Sequence, residues 1–262
     1  MRTFLLLLAM VLSLPALSQK STLSVYDLRT EYKYEPVGID AASPRLSWKL
    51  SSTASDLMQA AYEIRISSVH GKQSTGRVNG SESHLVPLKF ELAPLTRYEW
   101  SVRVWDNKGN VAQSSAAHFE TGMMGDAWKA SWIEPEKNLD PKKSLPPVYA
   151  RKEFLVKKKL ASARLLVTSR GLYRFYLNGK AVTDQLFTPG WTSYNKRTQY
   201  QVYDVTALLK QGNNAAGAIL AEGWSLRFTC ASWRHSSAKY CFRRMGRQDS
   251  PRPASGRGVP LL

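Results

Sequence analysis

The sequence predicts an all-β protein made of two consecutive sandwich domains. One observation is the alternation of apolar and polar residues with a period of two, which is clearest at Tyr98, Trp100, Val102 and Val104. A second is the turn chemistry that separates such segments, including an Asn-Gly pair typical of tight hairpins. The third is a second group of alternating segments that begins near Tyr149.

Length and composition agree with a globular protein that has two cores. The chain has 262 residues, of which 43% are hydrophobic, and it contains 8 Trp, 12 Tyr and 8 Phe. Its net charge of +17 raises the question of nucleic-acid binding. The dense basic run in the folded part, Lys157–Lys159, has no interleaved aromatic residues, so a solvated turn is favoured and no nucleic-acid partner is predicted.

The first 18 residues have the organisation of a signal peptide. Arg2 forms a basic start, an apolar run follows from Phe4 to Leu14, and the small residues Ala16 and Ser18 suit a cleavage site. The apolar run is shorter than the ~20 residues that a membrane span requires. We therefore expect an exported protein, periplasmic or extracellular, with no membrane association after cleavage.

Residues 21–122 are predicted to form the first domain. Its strands have one buried face, and turn residues such as Asn107-Lys108-Gly109 separate them. The segment Leu95-Thr96-Arg97-Tyr98 resembles the tyrosine corner of β-sandwich domains. About 100 residues of short strands with this feature predict an immunoglobulin-like or fibronectin type III-like sandwich.

A linker at residues 123–147 precedes the predicted second domain, residues 148–224. Four prolines in or next to the linker disfavour central strands there. Asn178-Gly179 predicts a type I′ hairpin, with Lys180–Thr183 as the returning strand. A helical turn is expected at 207–210, capped by Asp204 or Thr206. This order of elements suggests an incomplete jelly-roll-like sandwich.

Residues 225–262 differ in composition from the rest of the chain. The segment is rich in Arg, Pro, Gly and Ser, shows no sustained period, and is expected to be an irregular, disordered tail. It also holds both cysteines, Cys230 and Cys241, so the fold of the body does not depend on a disulfide. The spacing of Cys and His suggests no zinc site.

Several long motifs resemble, in order, the N-terminal part of bacterial α-L-rhamnosidases. These are RTEYKYEPVGIDAASPRLSWKL, YEWSVRVWDNKGNV, GDAWKASWI, YARKEF, GLYRFYLNGKAV, TPGWTSYNKRTQYQVYDVT and NNAAGAILAEGW. The resemblance implies an immunoglobulin-like domain and a β-sandwich domain, which in that glycoside hydrolase family precede an (α/α)₆ barrel with the active site. The match ends at Trp224, so the chain resembles a rhamnosidase truncated before its barrel, followed by an unrelated tail.

The same resemblance implies that the catalytic carboxylates lie on the barrel, so no catalytic residue is assigned and the chain alone is expected to be inactive. The main hypothesis is a non-catalytic front of an exported rhamnosidase. The alternative is a free-standing carbohydrate-binding or adhesion module.

For sugar binding, the candidates are Trp191, Tyr194 and Asn195, with Asp184 as a possible oxygen donor and a rhamnose-containing glycan as the ligand. A competing interpretation is that Trp191 packs on the sheet edge. One Asp with one Asn provides too few oxygens for calcium, so no metal site and no cofactor are predicted.

Overall fold

The computed structural model describes residues 23–125, 128, 130, 132–133, 146–223, 228–229, 232–235 and 238–240. The predicted signal peptide, both cysteines and Trp224 lie outside these residues. The chain divides into two compact units. The first unit comprises Met1–Pro36, Ala41–Leu92 and Thr96–Phe119, and the second comprises Val37–Asp40, Ala93–Leu95 and Glu120–Leu262.

The first unit is built from short antiparallel strands, as the alternating pattern predicts. They are β1 (Ser24–Thr30), β2 (Arg45–Ser51), β3 (Gln59–Ser68), β4 (Gly71–Ser74), β5 (Val78–Asn79), β6 (Val86–Pro87), β7 (Arg97–Asp106), β8 (Val111–Gln113) and β9 (Ala117–Glu120). One sheet has the order β1-β2-β6. The other has the order β4-β3-β7-β8, with β5 on β3 and β9 on β7.

Aromatic and β-branched side chains fill the core of the first unit. Trp48, Trp100 and Phe119 are almost completely buried, and Tyr98 stacks on Phe119 with ring centroids 5.3 Å apart. The alternation along β7 predicts the burial of Tyr98 and Trp100, since every second residue of the strand faces inward. The turn predicted after β7 is also confirmed, with Gly109 in the left-handed region at φ +85°.

A buried amide bridges two parts of the first unit. The Trp48 indole Nε1–H donates to Gln59 Oε1 at 2.9 Å. Gln59 Nε2 in turn donates to the carbonyl oxygens of Gly80 at 3.2 Å and Glu82 at 2.7 Å. Gln59 is only 7% exposed, so these partners satisfy polar groups that water does not reach.

In its described residues, the second unit contains two four-stranded sheets and one pair of short strands. Its strands are β10 (Trp132–Ile133), β11 (Val148–Val156), β12 (Arg164–Thr168), β13 (Leu172–Leu177), β14 (Lys180–Ala181), β15 (Tyr200–Asp204), β16 (Gly212–Ala221), β17 (Phe228–Thr229), β18 (Ser232–His235) and β19 (Ala238–Tyr240). The sheet orders are β11-β16-β13-β14 and β15-β12-β18-β19, and β10 pairs with β17.

The predicted hairpin is confirmed. Asn178 and Gly179 both have positive φ, +50° and +79°, and Leu177 pairs with Lys180 across the turn. The predicted helical turn differs from the structure, which has a 3₁₀ turn at Thr206–Leu208. Asp204 Oδ1 accepts from the Thr206 backbone N–H at 2.9 Å, so the acid stabilises this turn without serving as its N-cap.

The core of the second unit lies between its two larger sheets. Its buried members come from β12, β13 and β16 and from the residues just before β12 and before the 3₁₀ turn: Ala163, Leu165, Val167, Tyr173, Phe175, Leu177, Val205, Ala216, Ala218 and Leu220. The side chains of Val148, Ala150 and Phe154 on β11 pack against this cluster but remain half-buried. The alternation of β11 therefore gives it a core-facing side and an exposed side.

Two polar clusters attach the short N-terminal segments of the second unit to its strands. The Arg164 guanidinium donates to both carboxylate oxygens of Glu120, at 2.6 and 2.5 Å, and also pairs with Asp204 at 2.9 Å. The Tyr200 hydroxyl donates to Asp40 at 2.7 Å and accepts from the Met123 backbone N–H at 2.7 Å. Charge-assisted, bidentate contacts of this kind fix geometry strongly.

The segment after Trp224 is not uniformly irregular. Strands β17, β18 and β19 lie within residues 225–262, and β18 pairs with both β12 and β19. The prediction of an irregular tail is therefore wrong for these residues, because their pairing depends on a distant strand and not on local periodicity. Among the helices of the described part of the chain, none is long and apolar enough to cross a membrane.

Replacing Gln59 with leucine tests the buried amide of the first unit. Gln59→Leu leaves the Trp48 N–H and the two carbonyls without their partners, which costs roughly 1–3 kcal/mol for each buried group left unsatisfied. We expect faster amide hydrogen exchange in β3 and β7, measured by mass spectrometry. Gln73→Leu, at an exposed position of β4, is the matched control and should leave exchange unchanged. Equal exchange in both variants would contradict this role for Gln59.

Candidate functional site

A loop between β14 and β15 presents large apolar side chains to solvent. Leu186 is 65% exposed, Phe187 is 77% exposed and Trp191 is 66% exposed. Scattered exposed apolar residues are common on protein surfaces, whereas several on one short loop are typical of a binding surface. We call residues 186–191 the aromatic loop.

The aromatic loop is anchored to β13 by its central residue. The backbone N–H of Tyr173 donates to the Thr188 carbonyl at 3.0 Å, and the Thr188 hydroxyl donates back to the Tyr173 carbonyl at 2.9 Å. Thr188 is only 6% exposed. Tyr173 belongs to a strand that pairs along its length with β16. The two hydrogen bonds therefore hold the loop to a rigid part of the sheet.

A network of hydrogen-bonded polar side chains supports the loop. The Tyr173 hydroxyl donates to Gln201 Oε1 at 2.7 Å, and Gln201 Nε2 donates to the Pro189 carbonyl at 2.9 Å. The Tyr203 hydroxyl lies 3.1 Å from that of Tyr173. Burial, reinforced by this hydroxyl pair, raises the pKa of Tyr173 far above that of a free tyrosine. The phenol is therefore held in its neutral, donating form.

The backbone of the loop turns sharply between its two aromatic residues. The Gly190 N–H donates to the Phe187 carbonyl at 3.0 Å, with Gly190 at φ +92° and Phe187 at φ +56°. The left-handed region suits glycine but costs a bulky residue about 1–2 kcal/mol. A strained aromatic residue whose ring remains in water is unexpected if it serves only the fold, which favours a binding role.

The loop borders a cavity of about 470 Å³. Aromatic, aliphatic and glycine residues line this cavity: Leu172, Phe187, Gly190, Trp191, Tyr194 and Gly223. This volume lies within the usual range for small-molecule sites. Flat rings in such a lining can stack on the apolar face of a pyranose sugar, which makes a monosaccharide-sized ligand chemically suitable.

The cavity contains two of the four residues that the sequence singled out. Trp191 and Tyr194 line it, whereas Asp184 and Asn195 are exposed and are not among its lining residues. Asn195 lies in a separate turn, in which the Lys196 and Arg197 N–H groups donate to the Ser193 carbonyl at 2.8 and 3.0 Å.

Sequence reasoning missed Phe187 and Leu172 as lining residues. The only sequence signal for Phe187 is the apolar pair that it forms with Leu186 just before Thr188-Pro189. The sequence gives no separate signal for Leu172, whose place beside Ala221 follows from the pairing of β13 with β16.

Four acids in the described part of the second unit have structural partners. Glu120 and Asp204 pair with Arg164, Asp40 accepts from Tyr200, and Glu153 pairs with Arg151 at 2.5 Å. None of these four lines the cavity. Within the described ranges, no group of three or more His, Cys, Asp or Glu side chains could hold a metal ion.

Comparison with protein families identifies both parts of the chain. A model described as a Rha78A-like, N-terminal immunoglobulin domain matches residues 25–125. A model of the alpha-L-rhamnosidase N-terminal domain matches residues 158–243. The chain corresponds to the N-terminal region of the α-L-rhamnosidases. The second match continues past Trp224, so the expectation that the rhamnosidase resemblance ends there is wrong.

Curated rhamnosidases show the same relationship. An alpha-L-rhamnosidase of Alteromonas sp. (strain LOR) is 39% identical over 206 residues, which cover 72% of this chain and 22% of that protein. One from Formosa agariphila is 31% identical over 205 residues, with the same coverage. The chain therefore spans about a fifth of the length of these rhamnosidases.

Solved rhamnosidase structures support the fold. The alpha-L-rhamnosidase from Dictyoglumus thermophilum superposes with a TM-score of 0.72 at 32% identity, over 80% of this chain and 27% of that one. The enzyme from Aspergillus terreus gives a TM-score of 0.72 at 30% identity, over 84% and 28%.

Removing the Thr188 hydroxyl tests the anchoring of the aromatic loop. Thr188→Val keeps the shape of the side chain but leaves the buried Tyr173 carbonyl without this donor, at a cost of about 1–3 kcal/mol. We expect faster hydrogen exchange at residues 187–191, whereas the control Thr198→Val should behave like the original protein. Unchanged exchange in Thr188→Val would show that the loop does not depend on this bond.

The buried tyrosines make the second unit sensitive to high pH. Burial raises the folded-state pKa of Tyr173 and Tyr203 above that of the unfolded chain, about 10. The stability they contribute is therefore fully present below pH ~10 and is lost as pH rises above it. We expect the urea midpoint of the second unit to fall between pH 8 and pH 11, and to fall less in Tyr173→Phe. An equal fall in both proteins would contradict this assignment.

Proposed function

We propose that this chain is the non-catalytic N-terminal part of an exported α-L-rhamnosidase, an enzyme that removes terminal α-L-rhamnose from glycosides. In this proposal the two sandwich units act as a support for a catalytic domain. Export rests on residues 1–18, whose basic start and short apolar run have the pattern of a cleaved signal peptide.

One observation carries the non-catalytic assignment, namely how the carboxylates of the second unit are used. Glycoside hydrolysis requires two carboxyl groups about 5–9.5 Å apart that face a sugar. Here Glu120 and Asp204 are held by one guanidinium, and neither borders the cavity. A carboxylate fixed in an ion pair cannot easily deliver or accept the proton that the reaction requires.

A rhamnoside assay tests this proposal. Incubation of the purified chain with p-nitrophenyl α-L-rhamnoside should release no nitrophenol above the buffer rate, because the paired carboxylates supply no acid and base. A complete α-L-rhamnosidase in the same buffer is the positive control. Release that scales with the amount of chain, and that survives a second purification, would overturn the assignment.

A second candidate function is carbohydrate binding at the aromatic loop. It is favoured by the exposure of Phe187 and Trp191 on a segment that Thr188 and Gln201 hold in place. A preorganised aromatic surface loses little conformational entropy when a ligand binds. The ligand we propose is a rhamnose-containing glycan, whose ring would stack on these side chains within the cavity. Asp184 and Asn195 lie outside its lining.

Calorimetric titration with methyl α-L-rhamnoside tests this binding. Trp191→Ala removes a central stacking ring and should weaken affinity at least about tenfold, as is typical of a dominant aromatic contact. Trp191→Phe keeps a ring and should weaken it less. Trp132→Ala removes another exposed indole of the same unit, one that is not among the lining residues of the cavity, and should leave affinity unchanged. A flat titration of the original chain would exclude the site.

A further inference from the structure

The lining of the cavity beside the aromatic loop is mainly apolar. Among the six described residues that line it, only Trp191 and Tyr194 carry a polar group on the side chain, an indole N–H and a phenol hydroxyl. A sugar presents several hydroxyls, and precisely placed polar groups are what fix the orientation of a ligand in an apolar pocket. A specific sugar site therefore requires a further polar group beside this lining.

The side-chain amide of Gln199 lies against the lining. A Cβ atom added to Gly190, which lines the cavity, would lie only 3.1 Å from Gln199 Oε1. The amide therefore occupies the space that any larger residue at position 190 would require. Glycine at this position both permits the φ of +92° and leaves room for the amide beside the cavity.

The main chain of Gln199 is held in place by a buried side chain of β12. The Thr168 hydroxyl donates to the Gln199 carbonyl, and Thr168 is only 5% exposed. Gln199 also directly precedes β15, whose first residue, Tyr200, pairs with Thr168. The side chain of Gln199 therefore extends from a fixed point, which limits the conformational entropy lost when its amide binds a ligand.

The amide of Gln199 is available to a ligand. The residue is exposed, and in the part of the chain that the structure describes neither Oε1 nor Nε2 of Gln199 forms a hydrogen bond. The amide of Gln201, in contrast, is used at both ends, since it accepts from the Tyr173 hydroxyl and donates to the Pro189 carbonyl. An amide offers one acceptor and two donors, a combination that matches sugar hydroxyls.

We propose that Gln199 determines which sugars the cavity accepts, by bonding one hydroxyl of the pyranose with its side-chain amide. This inference rests on the proposed carbohydrate binding at the aromatic loop and names a polar contact for it. The sugar ring stacks on Trp191 while the amide bonds a hydroxyl on the side of the ring next to Gly190. A sugar that lacks this hydroxyl binds less well, because the amide then loses water without gaining a partner.

Calorimetric titration of the complete chain with methyl α-L-rhamnoside and its 2-, 3- and 4-deoxy derivatives tests this proposal. At least one derivative should bind the original chain about fivefold more weakly than the parent sugar, because it lacks the hydroxyl that Gln199 bonds. Gln199→Leu should weaken binding of the parent sugar by a similar factor and should no longer discriminate against that derivative. A purely structural effect of the substitution would weaken binding of all four sugars alike and keep the discrimination.

Gln211→Leu is the matched control. Gln211 is exposed and lies at the start of β16, at the opposite end from Ala221, which pairs with the lining residue Leu172. This variant should bind all four sugars like the original chain.

The titrations distinguish failure of this inference from failure of the proposed binding. If the original chain binds none of the sugars, the proposed carbohydrate binding is wrong and the role of Gln199 is wrong with it. If the original chain binds them, but Gln199→Leu keeps the same affinity or the same discrimination, only the role of Gln199 is overturned.

Discussion

The geometry of the candidate site depends on the two hydrogen bonds between Thr188 and the main chain of Tyr173. They join the aromatic loop to a strand that lies in the interior of a sheet, with β16 on one side and β14 on the other. Next to this anchor, Phe187 adopts a left-handed φ of +56°, and its carbonyl accepts from the Gly190 N–H at 3.0 Å. The buried Thr188 therefore fixes the positions of the exposed Phe187 and Trp191 rings.

The parts of the fold that the sequence predicted well are those determined by local chemistry. Asn178-Gly179 forms its hairpin because both positions require positive φ, and Trp48 is buried because it falls on the inward side of an alternating strand. The lining role of Phe187 could not be predicted, because it depends on bonds from Tyr173 and Gln201, which lie elsewhere in the chain. Strand β18 was missed for the same reason, since its partner β12 lies more than sixty residues earlier.

The candidate site itself was only half predictable. Trp191 and Tyr194 are large aromatic residues beside Pro-Gly, a composition that suggests a surface loop, and both line the cavity. Asp184 and Asn195 are predicted to bond sugar hydroxyls because they lie in or near the same loop in the sequence. Asn195 is not among the lining residues, and it lies beside the turn centred on Ser193, which is distinct from the turn that closes at Gly190. Side-chain direction in a loop follows such turns, which sequence spacing does not reveal.

The charged groups of the second unit are used for architecture. Arg164 joins Glu120 to Asp204, and Tyr200 joins Asp40 to the Met123 backbone, so these groups hold the short segments of the unit together. The cavity, in contrast, is lined by rings, an aliphatic side chain and glycines. Glu120 and Asp204 are held in one ion-pair cluster, whereas Phe187 and Trp191 are exposed to solvent, and this contrast supports our proposal that the unit binds a sugar without cleaving it.

The most direct test of this central claim is one NMR titration with methyl α-L-rhamnoside that observes the protein and the sugar together. We expect saturable shifts of the Trp191 indole N–H and the Gly190 amide, while the anomeric signals of the rhamnoside stay unchanged over days. Absence of shifts at both positions, or the appearance of free rhamnose, would contradict the account.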